Sequence, residues 1–257
     1  MLQLRVAKPL FIELPDCEPI PILYEDRAVL AIDKPPGWML VPEGWQKTTR
    51  NLQAAVISSI TAGDFWARSR GLKFLRYVHR LDANTSGVLL FSKSQGAVSV
   101  ISELFEDRKM EKTYLAVVAG EPQEEEWLCQ FKVGSDPRQA GRMRIDLRGG
   151  TSAETQFKVL DRQGGRALIE AKPLTGRTHQ IRVHLAGCGL PIVGDELYGR
   201  RERDLGLGLR AVRLVFVNPF TKRRVDIRAP EEQFLREFGF QRKTKVVSKP
   251  ETPPKPQ

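Results

Sequence analysis

One carboxylate stands alone in the stretch YVHRLDANTSGVLLFSK, Tyr77 to Lys93. Asp82 follows Arg80 and Leu81 and comes just before a glycine that opens an apolar run. Val88 to Phe91 reads as a buried strand, and Gly87 lets the chain turn sharply into it. Asn84, Thr85 and Ser86 can bond back to the backbone and hold the loop still. Asp82 is therefore expected at the rim of a core. A carboxylate in that position can cap the turn and pair with Arg80. Held at a cavity, it can also act as a base or a nucleophile.

A second polar cluster lies in PLTGRTHQIRVHLAGCGLPIVGDELYG, Pro173 to Gly199. Thr178 is expected to cap a short helix running to about Ala186, with Gly187 ending it and Ile181 and Leu185 facing inward. His179 and Arg182, three apart, share a face, whereas Arg177 and His184 point elsewhere. Five residues apart, His179 and His184 diverge by about 140° on a helix and fall on opposite sides of a strand, so joint chelation of a metal is disfavoured.

The elements that must position these groups are mostly strands. PILYEDRAVLAIDKPPG gives strand, turn and strand before Pro35-Pro36-Gly37 bends the chain. NLQAAVISSI reads as a short helix, and Gln95 to Arg108 as an amphipathic one with Val98, Ile101, Leu104 and Phe105 on one face. KTYLAVVAG, SAETQFKVLDR, GRALIEAKPL and LRAVRLVFVNP are further strands, the middle two paired antiparallel across Gln163-Gly164-Gly165. PRQAGRMRIDLRGG suits an exposed loop or hairpin. Strands joined by short turns predict an α+β fold on a mixed, largely antiparallel central sheet with flanking helices.

Residues 1–18 read as an N-terminal arm, 19–240 as one catalytic domain, and 241–257 as a basic Pro/Lys-rich tail with too few large apolar groups to order itself. The 257 residues carry a formal charge of +10, which favours a polyanionic partner. Three cysteines without paired spacing suggest neither a zinc site nor a disulfide framework, and they fit a reducing cytoplasm. No apolar run reaches the ~18 residues of a membrane span, and a monomer is the default.

The two polar stretches, together with EKTYLAVV and DKPPGWMLVPEG, resemble the RluA-type pseudouridine synthases, whose pattern is HRLDxxTSG followed by GRTHQIRxHLxxxGxPIxGDxxYG. The match runs from about Ile22 to Pro219. It implies an RNA pseudouridine synthase acting on rRNA or tRNA without metal or nucleotide cofactor. Asp82 would be the catalytic carboxylate, Arg182 its partner, and Tyr114 the residue that stacks on the target uracil and serves in proton transfer at C5. His79, Arg80, Thr85, Arg177, His179 and Leu209 would contact the substrate, with Arg80 holding the displaced nucleotide or its phosphate.

Such chemistry requires the uridine to be turned out of its stack, at a cost of a few kcal/mol. Arg138, Arg142, Arg144 and Arg148 would extend a basic surface toward the phosphates. Two departures stand out. Where the family often reads LHAxxLxFxHP this chain has Arg210 and Asn218, and there is no room before Ile22 for the S4 RNA-binding module many relatives carry.

Two rivals come from other classes. A non-catalytic RNA-binding or ribosome-assembly protein on the same fold would use the basic groove alone. A phosphoryl-transfer enzyme with Asp82 as nucleophile would need a second acidic ligand for magnesium, which the neighbouring sequence lacks.

Overall fold

The structure is a computed structural model and describes residues 7–15, 17–40, 50–202 and 204–241. The strands in chain order are β1 (Phe11–Ile12), β2 (Ile20–Glu25), β3 (Val29–Lys34), β4 (Arg76–Tyr77), β5 (Ser86–Ser92), β6 (Glu111–Ala119) and β7 (Glu126–Cys129). They continue with β8 (Val133–Ser135), β9 (Met143–Ile145), β10 (Thr155–Gln163), β11 (Arg166–Pro173), β12 (Leu209–Val217) and β13 (Arg224–Arg228). The helices are α1 (Leu52–Ala62), α2 (Phe65–Arg68), α3 (Gln95–Glu106), α4 (Gln180–Gly187) and α5 (Glu232–Glu237).

Eleven strands form one sheet in the order β1-β2-β3-β5-β12-β6-β11-β10-β7, with β13 beside β12 and β4 beside β5. Among the described strand pairs only β12 with β5 is parallel, so the mixed, largely antiparallel expectation holds. Alternation along the strands explains the packing. Leu30, Ile32, Leu89 and Phe91 pack with Leu52 of α1 and Trp66 of α2. Ala116, Val118 and Ile169 pack with Ile181 and Leu185 of α4. Tyr114 touches both clusters, which puts it at the seam between the two halves of the sheet.

Helix α1 starts at Asn51, whose side chain accepts the Ala54 N–H, and ends at Gly63 in the left-handed region with φ +75°. The stretch expected to be an arm contributes β1, paired with Ile20 and Pro21, so the sheet reaches back to Phe11. Residues 1–6 and the expected tail beyond Gln241 lie outside the described residues.

Gly87 is the joint that lets β5 lie against β12. Its φ is +109°, and a Cβ there would come within 2.0 Å of the Ala211 carbonyl oxygen. No L side chain fits, which is why a glycine must follow the TS of the Asp82 loop.

The same loop is held from below by Lys34, the last residue of β3. Its side chain is fully buried, and its ammonium donates to the carbonyls of Pro35 at 3.0 Å, Ala83 at 2.7 Å and Thr85 at 2.9 Å. Burial pulls its pKa down to about 7, against the Asp82 charge, which favours the ammonium. Lys34→Met would leave the Pro35 and Thr85 carbonyls unmet and the Ala83 carbonyl with the Gly37 N–H alone. The expected result is a loss of about 3 kcal/mol in urea unfolding, at 1–3 kcal/mol for each buried group left without a partner. Slower turnover should accompany it. A variant as stable as wild type would mean that the loop stands without this anchor.

Candidate active site

Asp82 lies in the loop between β4 and β5, where the Thr85 N–H returns to its carbonyl at 3.1 Å. Its carboxylate is partly exposed and accepts from Arg182 Nη1 at 3.0 Å. Arg182 comes from α4, on the other half of the sheet and 100 residues away in sequence. The two stretches that stand apart in the chain therefore meet at this ion pair.

Arg182 is itself fixed. Asp195, whose side chain is wholly buried, takes Nε and Nη2 in a two-pronged bond, both at 2.8 Å. It also accepts the N–H groups of Leu197 at 3.0 Å and Tyr198 at 3.2 Å. Burial works against the guanidinium charge, but the two carboxylates outweigh it and hold Arg182 above its ordinary pKa. The Tyr198 ring lies beneath the guanidinium, 5.1 Å from its carbon. One fork of Arg182 is thus spent on Asp195, and the remaining nitrogen is aimed at Asp82.

His179 precedes α4 with φ +55° and ψ 18°, a left-handed conformation uncommon for a residue with a Cβ. Its Nδ1 meets the Tyr198 hydroxyl at 2.8 Å, and its Nε2 lies 3.8 Å from Asp82 Oδ2. The Tyr198 oxygen also accepts the Met143 N–H at 2.8 Å, which ties β9 to the site. Helix α4 begins at Gln180 rather than behind Thr178. The Thr178 hydroxyl accepts from Arg80, and the helix N-cap is His179, without a side-chain cap bond. The helix ends through Cys188, with Gly189 rather than Gly187 in the left-handed region.

All nine residues singled out in the sequence line one cavity of about 520 Å³: His79, Arg80, Asp82, Thr85, Tyr114, Arg177, His179, Arg182 and Leu209. Arg177 was expected to point elsewhere, yet it borders the cavity from the loop before α4, its Nε donating to the Ser152 carbonyl at 3.1 Å. His184 does face away, toward the Phe131 carbonyl at 2.9 Å. Thr85 is buried and its hydroxyl has no hydrogen-bond partner among the described residues, which leaves it able to bond a ligand or solvent. Burial and the nearby Asp82 charge push the Tyr114 phenol above its ordinary pKa, so its O–H stays protonated across the neutral range.

His79 plays a supporting part. Its ring stacks on Phe105 at 4.6 Å between centroids, and Nε2 accepts the Leu90 N–H at 3.0 Å, an arrangement that requires the neutral ring. Burial and the neighbouring Lys112 charge lower its pKa to about 3. A histidine whose folded pKa lies below its unfolded value near 6.5 contributes fully above that pH, and its contribution falls between 6.5 and 3. Wild type should therefore lose up to about 1.4 kcal/mol per pH unit in that window relative to His79→Gln. Parallel stability profiles for the two proteins in urea titrations at pH 7 and 4.5 would contradict this.

The arginines expected on an exposed basic surface are partly engaged. Arg142 lies over the Tyr198 ring at 5.6 Å, and Arg144 reaches Asp146 at 3.4 Å, both on the hairpin formed by β8 and β9. The two residues that depart from the family's LHAxxLxFxHP pattern have structural duties. Arg210 is buried and bonds Asp33 at 2.6 Å, Ser86 Oγ at 3.1 Å and the Pro230 carbonyl at 2.9 Å. Asn218 closes the turn before β13 by accepting the Phe220 and Thr221 N–H groups. Sequence reasoning missed Lys34 and the role of Asp195. The GD of the second stretch was the available signal for Asp195, whereas nothing local marks Lys34 as buried.

A family model described as RNA pseudouridylate synthase matches residues 28–187, which include Asp82, Tyr114 and Arg182. The Ribosomal large subunit pseudouridine synthase C of Escherichia coli (strain K12) is 37% identical over 226 residues, covering 84% of this chain and 67% of that one. An Uncharacterized RNA pseudouridine synthase, YhcT, of Bacillus subtilis (strain 168) is 32% identical over 220 residues, covering 84% and 70%. Among solved structures, Human RNA Pseudouridylate Synthase Domain Containing 1 superposes with a TM-score of 0.66 at 28% identity, covering 82% of this chain and 83% of that one.

Proposed function

The chain belongs to the RNA pseudouridylate synthase family, and from that premise we propose that it isomerises uridines of large-subunit ribosomal RNA with Asp82 as the catalytic carboxylate. It is an isomerase that converts uridine in RNA to pseudouridine. The ribosomal substrate is taken from the names of its relatives, and tRNA is the other RNA to test.

One observation carries the assignment of Asp82: a charged pair with Arg182, closed to 3.0 Å, at the edge of a cavity that Tyr114 also lines. A uridine turned out of its stack presents its ribose to Asp82 and its ring to Tyr114. The carboxylate attacks C1′ or removes the C2′ proton, and the N1–C1′ bond breaks. The freed uracil rotates and C5 bonds to C1′, displacing the Asp82 carboxylate from C1′ on the first route, or with Asp82 returning the proton to C2′ on the second. The proton leaves C5, with Tyr114 placed to relay it, and N1 ends protonated, so atoms and electrons balance without a co-reactant.

Thr85, with its unpartnered hydroxyl, fits a hydrogen bond to the base or ribose. His179 and Arg177 border the same space, and Leu209 supplies apolar wall. Arg80 suits a phosphate or the gap the nucleotide leaves. His79 is read as a support for this wall, given its bond to Leu90. No helix among the described residues is long and apolar enough to cross a membrane. A monomeric catalytic domain over residues 19–240, acting in the cytoplasm, completes the reading.

The test is to treat unmodified ribosomal and transfer RNA transcripts with the purified protein and map pseudouridine. New pseudouridine at one or a few uridines of large-subunit RNA is expected. Modification of tRNA alone would replace the substrate, and no modification of either RNA would overturn the reading.

A further inference from the structure

Among the cations that line the cavity, Lys112 is one that the chemistry on the base does not use. Lys112 leaves β6 two residues before Tyr114, so both side chains project from the same face of the strand, roughly 7 Å apart along it. Both line the cavity. The Lys112 ammonium reaches the Thr175 carbonyl at 3.2 Å, at the start of the loop that leads to α4. It also sits close to Gly176, where a Cβ would lie 3.8 Å from Nζ.

What Lys112 lacks is an acid. Among the described residues no carboxylate lies within ion-pair distance of it, whereas Arg70, Lys93, Arg182 and Arg210 each close on one, and the buried ammonium of Lys34 is met by three carbonyls. An ammonium has three donors, and here one carbonyl takes one of them. Burial without a counter-charge pulls its pKa down to about 8. A charge kept in that state is costly unless an anion completes it. An oxyanion brought by the substrate would supply both the acceptor oxygens and the counter-charge. RNA brings such a group with every nucleotide.

We propose that Lys112 binds the phosphodiester adjoining the turned-out uridine, with the Thr175–Arg177 loop as the wall beside it, and so sets the ribose over Asp82 while the ring lies against Tyr114. The strand spacing matches that division of labour. One position receives the base, and the next on the same face receives the phosphate across the ribose from it. This inference rests on the reading of the chain as an RNA pseudouridine synthase.

The experiment uses the full chain and a stem-loop RNA carrying the mapped uridine. Wild type, Lys112→Gln and Lys112→Arg are each given RNA with ordinary linkages, and RNA with a neutral methylphosphonate at either linkage of that uridine. Lys112→Gln should bind ordinary RNA about tenfold more weakly, the worth of one charge-assisted bond. Its salt dependence should flatten by about 0.7 in the log–log slope. Lys112→Arg should restore most of both.

One of the two methylphosphonates should weaken wild type to a similar degree and leave Lys112→Gln unaffected. Equal losses in both proteins, or a wild type indifferent to both neutral linkages, would overturn the inference even if the variant proved unstable. Wild type forming pseudouridine in the stem-loop in the same assay keeps the two readings apart. Its failure to do so would remove the function, and the inference with it.

Discussion

Asp82→Asn is expected to bind RNA nearly as wild type does and to form pseudouridine slower by a factor on the order of 10⁴, the scale of removing a catalytic group that acts in concert with its neighbours. The substitution keeps the shape of the side chain and an oxygen to accept from Arg182, which Asp195 continues to hold. What it removes is the charge and the lone-pair basicity that attack on C1′ or proton removal at C2′ needs. The RNA contacts come mainly from phosphates and persist. Single-turnover pseudouridine formation on an unmodified transcript, with filter binding on the same sample, separates the two effects. A variant that turns over at the wild-type rate would place the chemistry elsewhere.

Asp195→Asn should be the next most damaging change, although Asp195 is not placed at the reacting atoms. Its wholly buried carboxylate accepts four N–H groups, two from Arg182 and one each from Leu197 and Tyr198. An amide there presents an NH₂ to a guanidinium that can only donate, and leaves the buried Arg182 charge with Asp82 alone. Breaking one side of a buried pair costs about 3–5 kcal/mol. Loss of the brace should also let Nη1 drift from Asp82 and slow the reaction by about 10²-fold. Urea unfolding and single-turnover rates on Asp195→Asn measure both effects. Wild-type values in both would show that Arg182 is oriented without this carboxylate.

Much of this arrangement is visible in the chain because local pattern and chemistry coincide. The apolar run after Gly87 becomes β5, the alternating pair around Gly164-Gly165 becomes β10 and β11, and the two polar stretches do meet at one cavity. The hidden features depend on partners distant in sequence. That β12 lies between β5 and β6 follows from a close approach at Gly87 and Ala211, which no window of sequence displays. Thr178 looks like a helix cap, yet its hydroxyl accepts from Arg80, from the other half of the sheet. The helix starts through His179 in a left-handed turn that also brings its ring to Tyr198. Lys34 reads as a charge beside a proline turn, and only the fold encloses it among three carbonyls.

The central claim is that Asp82, steered by Arg182, faces the sugar of an extruded uridine. The most direct measurement is a crystal structure of the Asp82→Asn protein bound to a stem-loop carrying its mapped uridine. The expected result is a nucleotide turned out of its stack, its ring against Tyr114 and its C1′ within about 3.5 Å of the side chain at position 82, the reach of a near-attack geometry. A target uridine left stacked in the RNA, or one seated with its ribose on the far side of the cavity from that side chain, would contradict it.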